Sequence, residues 1–266
     1  IKSVINHQPS IIITVDNGIV AYDGVEFANK KGIDVIITDH HQKEKETPSA
    51  LAIAWSNQIS GAGVAWFLAK EIYKTFKKDL QEFKNSNSLE LAALGTVTDM
   101  LPVLGVNRSL LKYGLSEIRN SKRAGIVALC SEAGVRQEDI SIYHLGFIIG
   151  PRLNAVGRLK DGLDALRILC TSDKKRAVKL AEKLGIVNRE RQQLTRTTLN
   201  HALQMINSED KKRKVLFVSN QSYNQGIVGL VAGKLVEEFW RPAVVISKKE
   251  EFCRGSARSI SEFNII

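Results

Sequence analysis

Only three of the 266 residues are cysteine: Cys130, Cys170 and Cys253. They lie far apart and form no Cys-x-x-Cys pair. That argues against a zinc knuckle or a disulfide framework and fits a reducing cytosol. Long apolar runs are missing as well. None approaches the ~20 residues that span a bilayer, and no segment has the layout of a secretory signal. Internal repeats and low-complexity tracts are absent. Acidic residues are in deficit, 28 against 38 basic, giving +10 and a pI near 9.5. An excess of that size points to a polyanionic partner, nucleic acid first, while saying little about fold. Hydrophobic residues make up 44%, enough for a sizeable core in one large or two medium domains. The chain starts at Ile1 and ends at Ile265-Ile266, directly after a predicted strand. Both ends read as cut from something longer.

Two short β-branched runs are present near the start, Ile11 to Val15 and Val35 to Thr38. Their uninterrupted apolar character predicts strands buried on both faces. Between them, Ala21 to Lys31 has the length of one helix and is closed by Gly32. Strand, helix, strand is a βαβ unit with parallel strands. Asp16 follows the first strand, and Asp39-His40-His41 ends the second. Both groups should emerge on the sheet edge where open α/β folds bind ligands. A carboxylate and two imidazoles there suit a hard-to-borderline divalent metal. Taken singly, each is more often a structural hydrogen-bonder than a ligand.

Further along, Leu51 to Trp55 reads as a strand and Gly61 to Phe76 as a helix. Lys77 to Asn87 reads as a surface turn, and Ser88 as the N-cap of a helix ending near Asp99. Asp99 sits in an apolar neighbourhood, where a carboxylate needs a partner. Two more helices follow, over Asn107 to Arg119 and Gly125 to Ala133. Ile140 to Leu159 holds Gly146, Gly150 and Gly157 beside Arg152, Asn154 and Arg158. Glycines that admit a ligand, next to arginines, suit a phosphate. A long charged helix is predicted over Ser172 to Ile206; its exposed Arg189, Arg191 and Arg196 suit the lining of a nucleic-acid groove, although a charge-rich helix face is more often merely solvated. Composition changes over Asn207 to Lys214. A second α/β pattern follows, with strands at Val215 to Ser219, Ala243 to Ser247 and Phe252 to Ile260 around a helix from Gly226 to Phe239. Small residues and two arginines on the last strand, Arg254-Gly255-Ser256-Ala257-Arg258, make a phosphate-grasping edge.

Three stretches resemble successive motifs of the DHH phosphoesterase superfamily. They are Thr14-Val15-Asp16-Asn17-Gly18-Ile19, Thr38-Asp39-His40-His41 and Gly95-Thr96-Val97-Thr98-Asp99-Met100-Leu101-Pro102. Three others resemble stretches of its RecJ family of 5′-to-3′ single-stranded-DNA exonucleases. These are Gly150 to Leu159, Gln225 to Ala232 with Arg241-Pro242, and Gly255 to Ser259. The likeness covers nearly the whole chain in the family's order.

The resemblance implies an α/β fold: a DHH-type parallel-sheet domain over 1–171, a connecting helical region over 172–206 and a smaller DHHA1-type domain over 207–266. It places the active site between the two domains. It implies a two-metal Mn2+ or Mg2+ site using Asp16, His40 and Asp99, with His41 beside the metals and His40, His41 and Asp99 as catalytic residues. Ser256, Arg258 and Arg158 would bind the 5′-terminal phosphate, with Arg152 and Asn154 as further members. The expected setting is DNA repair and recombination in the cytoplasm, as a monomer without membrane contact. Single-stranded DNA is the expected partner, alongside a helicase or single-strand-binding protein.

Two departures from the family pattern stand out. A first Asp-x-Asp motif, which would supply bridging carboxylates, belongs before Ile1, and an oligonucleotide-binding domain belongs after the last strand. Residues 1–266 alone are therefore expected to bind metal weakly and cut poorly. Second, Tyr223-Asn224 stands where the family has Trp-His, with the tyrosine expected to stack on DNA. The alternatives are a phosphoesterase of short oligonucleotides or cyclic dinucleotides, and a single-stranded DNA binder without catalysis.

Overall fold

The computed structural model describes residues 2–76, 83, 88–206, 213–249 and 252–265. The chain divides into two compact units, Ile1–Gly150 and Pro151–Ile266.

The first unit opens with a short helix α1 (Lys2–Ile5) and then a three-stranded parallel sheet in the order β1-β2-β3. β1 is Ile11–Val15, β2 is Asp34–Asp39 and β3 is Ala52–Trp55, with helix α2 (Tyr22–Asn29) crossing between β1 and β2. This is the βαβ unit that the apolar runs predict. Val15 pairs with Thr38 and Asp39 with Trp55, so the C-terminal ends of the three strands share one edge. Val25, Ala28, Ile33, Val35 and Ile37 form the core under α2.

One expectation fails. β2 is central and its last three residues are buried, but β1 is not buried on both faces. Ile11, Ile13 and Val15 are 41%, 46% and 57% exposed. Among the described residues β1 pairs only with β2.

Helices α3 (Gly61–Thr75), α4 (Ser88–Thr98), α5 (Gly105–Arg119) and α6 (Ala124–Glu132) complete the first unit, with a helical run over residues 142–149. In that run Ile142–His144 is α-helical and Leu145–Ile149 is a π-turn. Ser60 caps α3, its hydroxyl accepting from the Gly63 amide at 3.1 Å. α4 is apolar all round and buried, as such helices must be. Its one acidic residue, Glu90, is fully buried and ion-paired with Arg123. Ser88 is the first described residue of α4 rather than its cap, and among the described residues its hydroxyl has no partner. Most of the predicted turn over Lys77 to Asn87 lies outside the described residues; Phe83 is described, and is buried.

Close backbone approach holds α4 in place. A Cβ on Gly95 would lie 2.5 Å from the Ala62 Cβ of α3. One on Gly114 of α5 would lie 2.4 Å from the Ala93 Cβ, and one on Gly150 2.5 Å from Thr98 Cγ2. Gly146 likewise faces Val97. Gly146 and Gly150 thus admit a neighbouring helix, not the ligand that the glycine spacing suggests.

The second unit begins with helices α7 (Gly150–Leu159), α8 (Leu163–Cys170) and α9 (Lys174–Met205). α9 has 32 residues, about 48 Å at 1.5 Å per residue. Asp173 caps it by accepting from the amides of Lys175 and Arg176. A second sheet follows in the order β4-β5-β6, with β4 (Leu216–Asn220) parallel and β6 (Cys253–Arg258) antiparallel to β5 (Ala243–Lys248). Helix α10 (Val228–Phe239) packs on it through Val228, Val231, Ala232 and Leu235. Most of the predicted composition shift, residues 207–212, lies outside the described residues. Among the described residues no helix is long and apolar enough to cross a membrane.

Gly95→Ala should lower the unfolding free energy by about 1–3 kcal/mol through overpacking against Ala62. A urea midpoint equal to wild type would show that α3 and α4 yield at this contact.

Candidate functional site

Asp39 ends β2 with its carboxylate facing inward, and the residue is 1% exposed. The Ile19 amide donates to Oδ2 at 2.9 Å. The amides of His40 and His41 donate to Oδ1 at 2.7 and 3.2 Å, and the His41 ring Nδ1 lies 2.7 Å from the same oxygen. Burial pushes the Asp39 carboxyl up, but the Ile19 amide, the His41 ring and the two local amides outweigh it and hold it below its ordinary value. The buried anion therefore stays charged and ties the strand end to the loop after β1. Trp55, at the end of β3, donates through Nε1 to the His41 carbonyl at 2.8 Å, fixing the other side of the turn.

With the turn held, His40 points its Nε2 between two carboxylates. Asp16 Oδ1 lies 3.0 Å away and Asp99 Oδ2 3.2 Å. Both carboxylates come from left-handed turns. Asp16 itself has φ +58°, and Met100, after Asp99, has φ +57°. Asp tolerates this region, whereas Met does so at a cost. At the end of α4 the Met100 amide donates to the Val97 carbonyl and the Leu101 amide to that of Thr96. That is the pattern of a helix closed by a left-handed residue. Asp99 is thereby left at the negative end of the helix, where it adds to an attraction for cations.

Gly61 makes room for Asp16. A Cβ there would lie 2.2 Å from Oδ1 and 2.4 Å from Cγ of Asp16. No side chain fits at Gly61 while Asp16 stays where it is.

Donor atoms of Asp16, His40 and His41 lie within 4.8 Å of one another. Among the described residues, no Lys or Arg pairs with Asp16 or Asp99. Burial pushes Asp16 above the usual carboxylate range; His40 opposes this and the Asp99 charge adds to it. Two carboxylates and an imidazole converging without a compensating cation fit a divalent ion with a preference for oxygen and nitrogen. His41 plays a different part. Its Nδ1 is held by Asp39, so its exposed ring offers Nε2 outward. The hydrogen bond from Asp39 raises its pKa above the ordinary value, with burial opposing.

In the second unit the predicted phosphate-binding residues divide. Ser256 and Arg258 stand on β6 against the first turn of α10. A Cβ on Gly229 would lie 2.9 Å from Ser256 Oγ and 3.3 Å from Arg258 Nη2. The start of α10 lies beside them, and the positive end of a helix favours an anion. Arg158, near the end of α7, meets the loop before α10. Its Nη1 is 3.4 Å from the Gly226 carbonyl, and a Cβ on Gly226 would lie 1.9 Å from the Arg158 carbonyl oxygen. Asn154 is exposed four positions before Arg158, on the same face of α7. Arg152 is half-buried six positions before it.

The aromatic expectation is overturned. Tyr223 is 1% exposed, and its hydroxyl meets His201 Nδ1 at 2.9 Å. It belongs to the core and presents no stacking face. Asn224 builds the loop, accepting from the Gly226 amide at 2.8 Å. The roles of Asp39, Gly61 and Asn224 are not evident in the sequence pattern. A carboxylate ending a buried strand is the one signal that pointed to Asp39.

Comparison with known proteins bears on this geometry. Residues 1–96 match the DHH family, N-terminal domain. Over 99% of its length the chain is 36% identical to the single-stranded-DNA-specific exonuclease RecJ of Bacillus subtilis (strain 168), and over 94% it is 35% identical to that of Escherichia coli (strain K12). The chain thus carries a DHH-type N-terminal domain within residues 1–96. Its DHH motif is Asp39-His40-His41, and it is RecJ-like over nearly its whole length. It spans 34% of the Bacillus relative and 47% of the Escherichia one. Among solved structures, RecJ from Thermus thermophilus in complex with Mn2+ is 29% identical, with a TM-score of 0.85 over 97% of this chain and 39% of its own. An exonuclease RecJ bound to manganese is 27% identical, with a TM-score of 0.83 over all of this chain and 68% of its own. The α/β fold expected from the sequence is thus the fold of these proteins.

Gly61→Ala should weaken Mn2+ binding about 10- to 100-fold by displacing Asp16, on the scale of losing a supporting contact. Calorimetric titration checks this, and unchanged affinity would contradict it. In metal-free protein the His41 ring should titrate above ~6.5, and Asp39→Asn should bring it back down. The native state gains from protonated His41 at low pH and loses that gain as pH rises through its raised pKa. An NMR titration of the ring with its midpoint unmoved by Asp39→Asn would contradict the assignment.

Proposed function

We propose that this chain carries the catalytic part of a metal-dependent exonuclease that shortens single-stranded DNA from its 5′ end. The observation carrying the reading is the convergence of Asp16, His40 and Asp99 at one strand edge. The curated relatives are named single-stranded-DNA-specific exonucleases and the solved neighbours hold Mn2+, which supports it. Asp16, His40 and Asp99 would hold Mn2+ or Mg2+. Bound metal supplies an activated water and Lewis-acid stabilisation of phosphate oxygens.

The chain's own groups do the rest. Asp39 keeps the His40-His41 turn rigid. His41 presents Nε2 to a phosphate oxygen. Ser256, Arg258 and Arg158, with the first turn of α10, grip a terminal 5′-phosphate, and Asn154 and Arg152 add contacts along the strand. A gripped end selects where cutting starts. The reading includes a DHH domain over 1–171, a helical connection over 172–206 and a DHHA1-type nucleic-acid-binding domain over 207–266. It also includes repair and recombination in the cytoplasm, as a monomer working with a helicase or single-strand-binding protein.

In the full-length protein, His40→Ala and Asp99→Ala should each cut Mn2+-dependent release of mononucleotides from a 5′-phosphorylated strand by more than about a hundredfold. That is beyond the 10- to 100-fold typical of outer contacts. An unchanged rate would contradict the reading. Faster hydrolysis of a dinucleotide than of a long strand would move it to the short-substrate phosphoesterases.

A further inference from the structure

Helices α3, α4 and α5 border a cavity of about 570 Å³ in the first unit. Trp66 and Lys70 line it from α3, Ser88 and Leu89 from the start of α4, and Tyr113 and Glu117 from α5. Four-residue spacing puts each pair on α3 and α5 on one helix face. Phe83 adds a ring 5.7 Å from that of Trp66. The volume falls within the ~300–1,000 Å³ of small-molecule sites.

Aromatic walls alone would make an ordinary gap in a core. Polar atoms without partners set this one apart. Trp66 Nε1, Ser88 Oγ and Glu117 Oε2 are each shut off from solvent, and none has a hydrogen-bond partner among the described residues. All three belong to side chains lining the cavity. Orphaned buried groups are uncommon in folded proteins, because their lost hydration is not replaced. Burial pushes the Glu117 carboxyl up; the Glu90 amide opposes this and the Glu90 charge adds to it. Lys70 lines the same cavity with its Nζ 5.4 Å from the Trp66 ring centroid. Among the described residues it has no acidic partner. An acid and a cation thus border one cavity without pairing.

These groups define a ligand. Its faces are flat and apolar, to lie against aromatic rings. Its edge carries both donors and acceptors, because the indole N–H only donates whereas the hydroxyl and a carboxyl can do either. It bears an anionic substituent for Lys70. A nucleobase meets the first two demands and a phosphate the third. Two fused rings cover more aromatic surface than one, which favours a purine. A hydrocarbon would fill the volume and leave every polar atom unpaired.

We infer that this cavity binds a purine mononucleotide, its base held against Tyr113 and Phe83, its edge bonded to Trp66 Nε1, Ser88 and Glu117, and its phosphate toward Lys70. The three orphaned atoms lie just behind the cavity surface, so small side-chain turns bring them to the ligand, as is common on binding. The site is distinct from the Asp16, His40 and Asp99 cluster, since Ser88 starts α4 and Asp99 follows its other end. Binding here needs only the cavity and is independent of the proposed exonuclease activity.

The test is a two-dimensional proton–nitrogen NMR titration of the chain, whose three tryptophans give three indole signals. The Trp66 signal is the one lost in Trp66→Phe. At up to millimolar concentration, dGMP or dAMP should move it, dTMP should move it less, and ribose 5-phosphate or inorganic phosphate should leave it in place. Glu117→Gln should weaken the purine nucleotide roughly tenfold, the scale of a lost charged hydrogen bond. Lys70→Ala should weaken the nucleotide and leave the matching nucleoside unchanged. Arg258→Ala, in the other unit, should not alter the Trp66 shift.

A Trp66 signal unmoved by both purine nucleotides would overturn the inference, even if Glu117→Gln proved too unstable to test. Equal movement by ribose 5-phosphate would also overturn it, because the cavity would then be sensing an anion only. If Arg258→Ala abolishes the shift, the nucleotide sits at the 5′-phosphate grip, and the cavity is refuted as a site while that grip stands.

Discussion

The carboxylate of Asp39 is buried and accepts four hydrogen bonds, three from backbone amides and one from the His41 ring. A buried anion is tolerated only when its lone pairs are filled in this way. The cost of burying it is offset by rigidity where the chemistry is placed. Because Ile19, His40 and His41 all donate to one group, the loop after β1 and the end of β2 cannot shift independently. His40 Nε2 consequently meets Asp16 and Asp99 at nearly equal distances, 3.0 and 3.2 Å. Of the three residues in the motif, the first builds the turn, the second faces Asp16 and Asp99 and the third faces outward.

Absence of side chains matters as much as their presence. Gly61 leaves the space that Asp16 occupies, and Gly95, Gly114 and Gly150 let three neighbours press on α4, which delivers Asp99. Gly226 and Gly229 do the same for the Arg158 carbonyl and for Ser256 and Arg258. In both units the chemical groups are placed by backbone brought closer than any Cβ allows.

Much of this was legible in the sequence. The apolar runs before Asp16 and Asp39 gave the strands and their shared edge, because parallel pairing follows from a helical crossover. The motif likeness named Asp16, His40 and Asp99 together, and the structure brings them together. What stayed hidden is what depends on partners distant in sequence. The exposure of β1 depends on how many strands flank it, which Ile11 to Val15 cannot encode. Tyr223 read as a stacking ring because its burial against His201 is set by α9, 22 residues earlier. Arg191 read as exposed but is partly buried, since a helix face is solvated or covered according to what packs beside it. Gly146 and Gly150 read as ligand glycines because close approach to a helix and close approach to a ligand ask for the same residue.

The central claim is that Asp16, His40 and Asp99 surround one cation at the edge that Asp39 holds in place. An anomalous-difference map from a crystal soaked in Mn2+, collected near the manganese absorption edge, tests it most directly. The account predicts a peak within coordination distance of Asp16, Asp99 and His40 Nε2, with Asp39 still bonded to the His41 ring. A peak coordinated by Asp39 instead, or none beside His40, would contradict it.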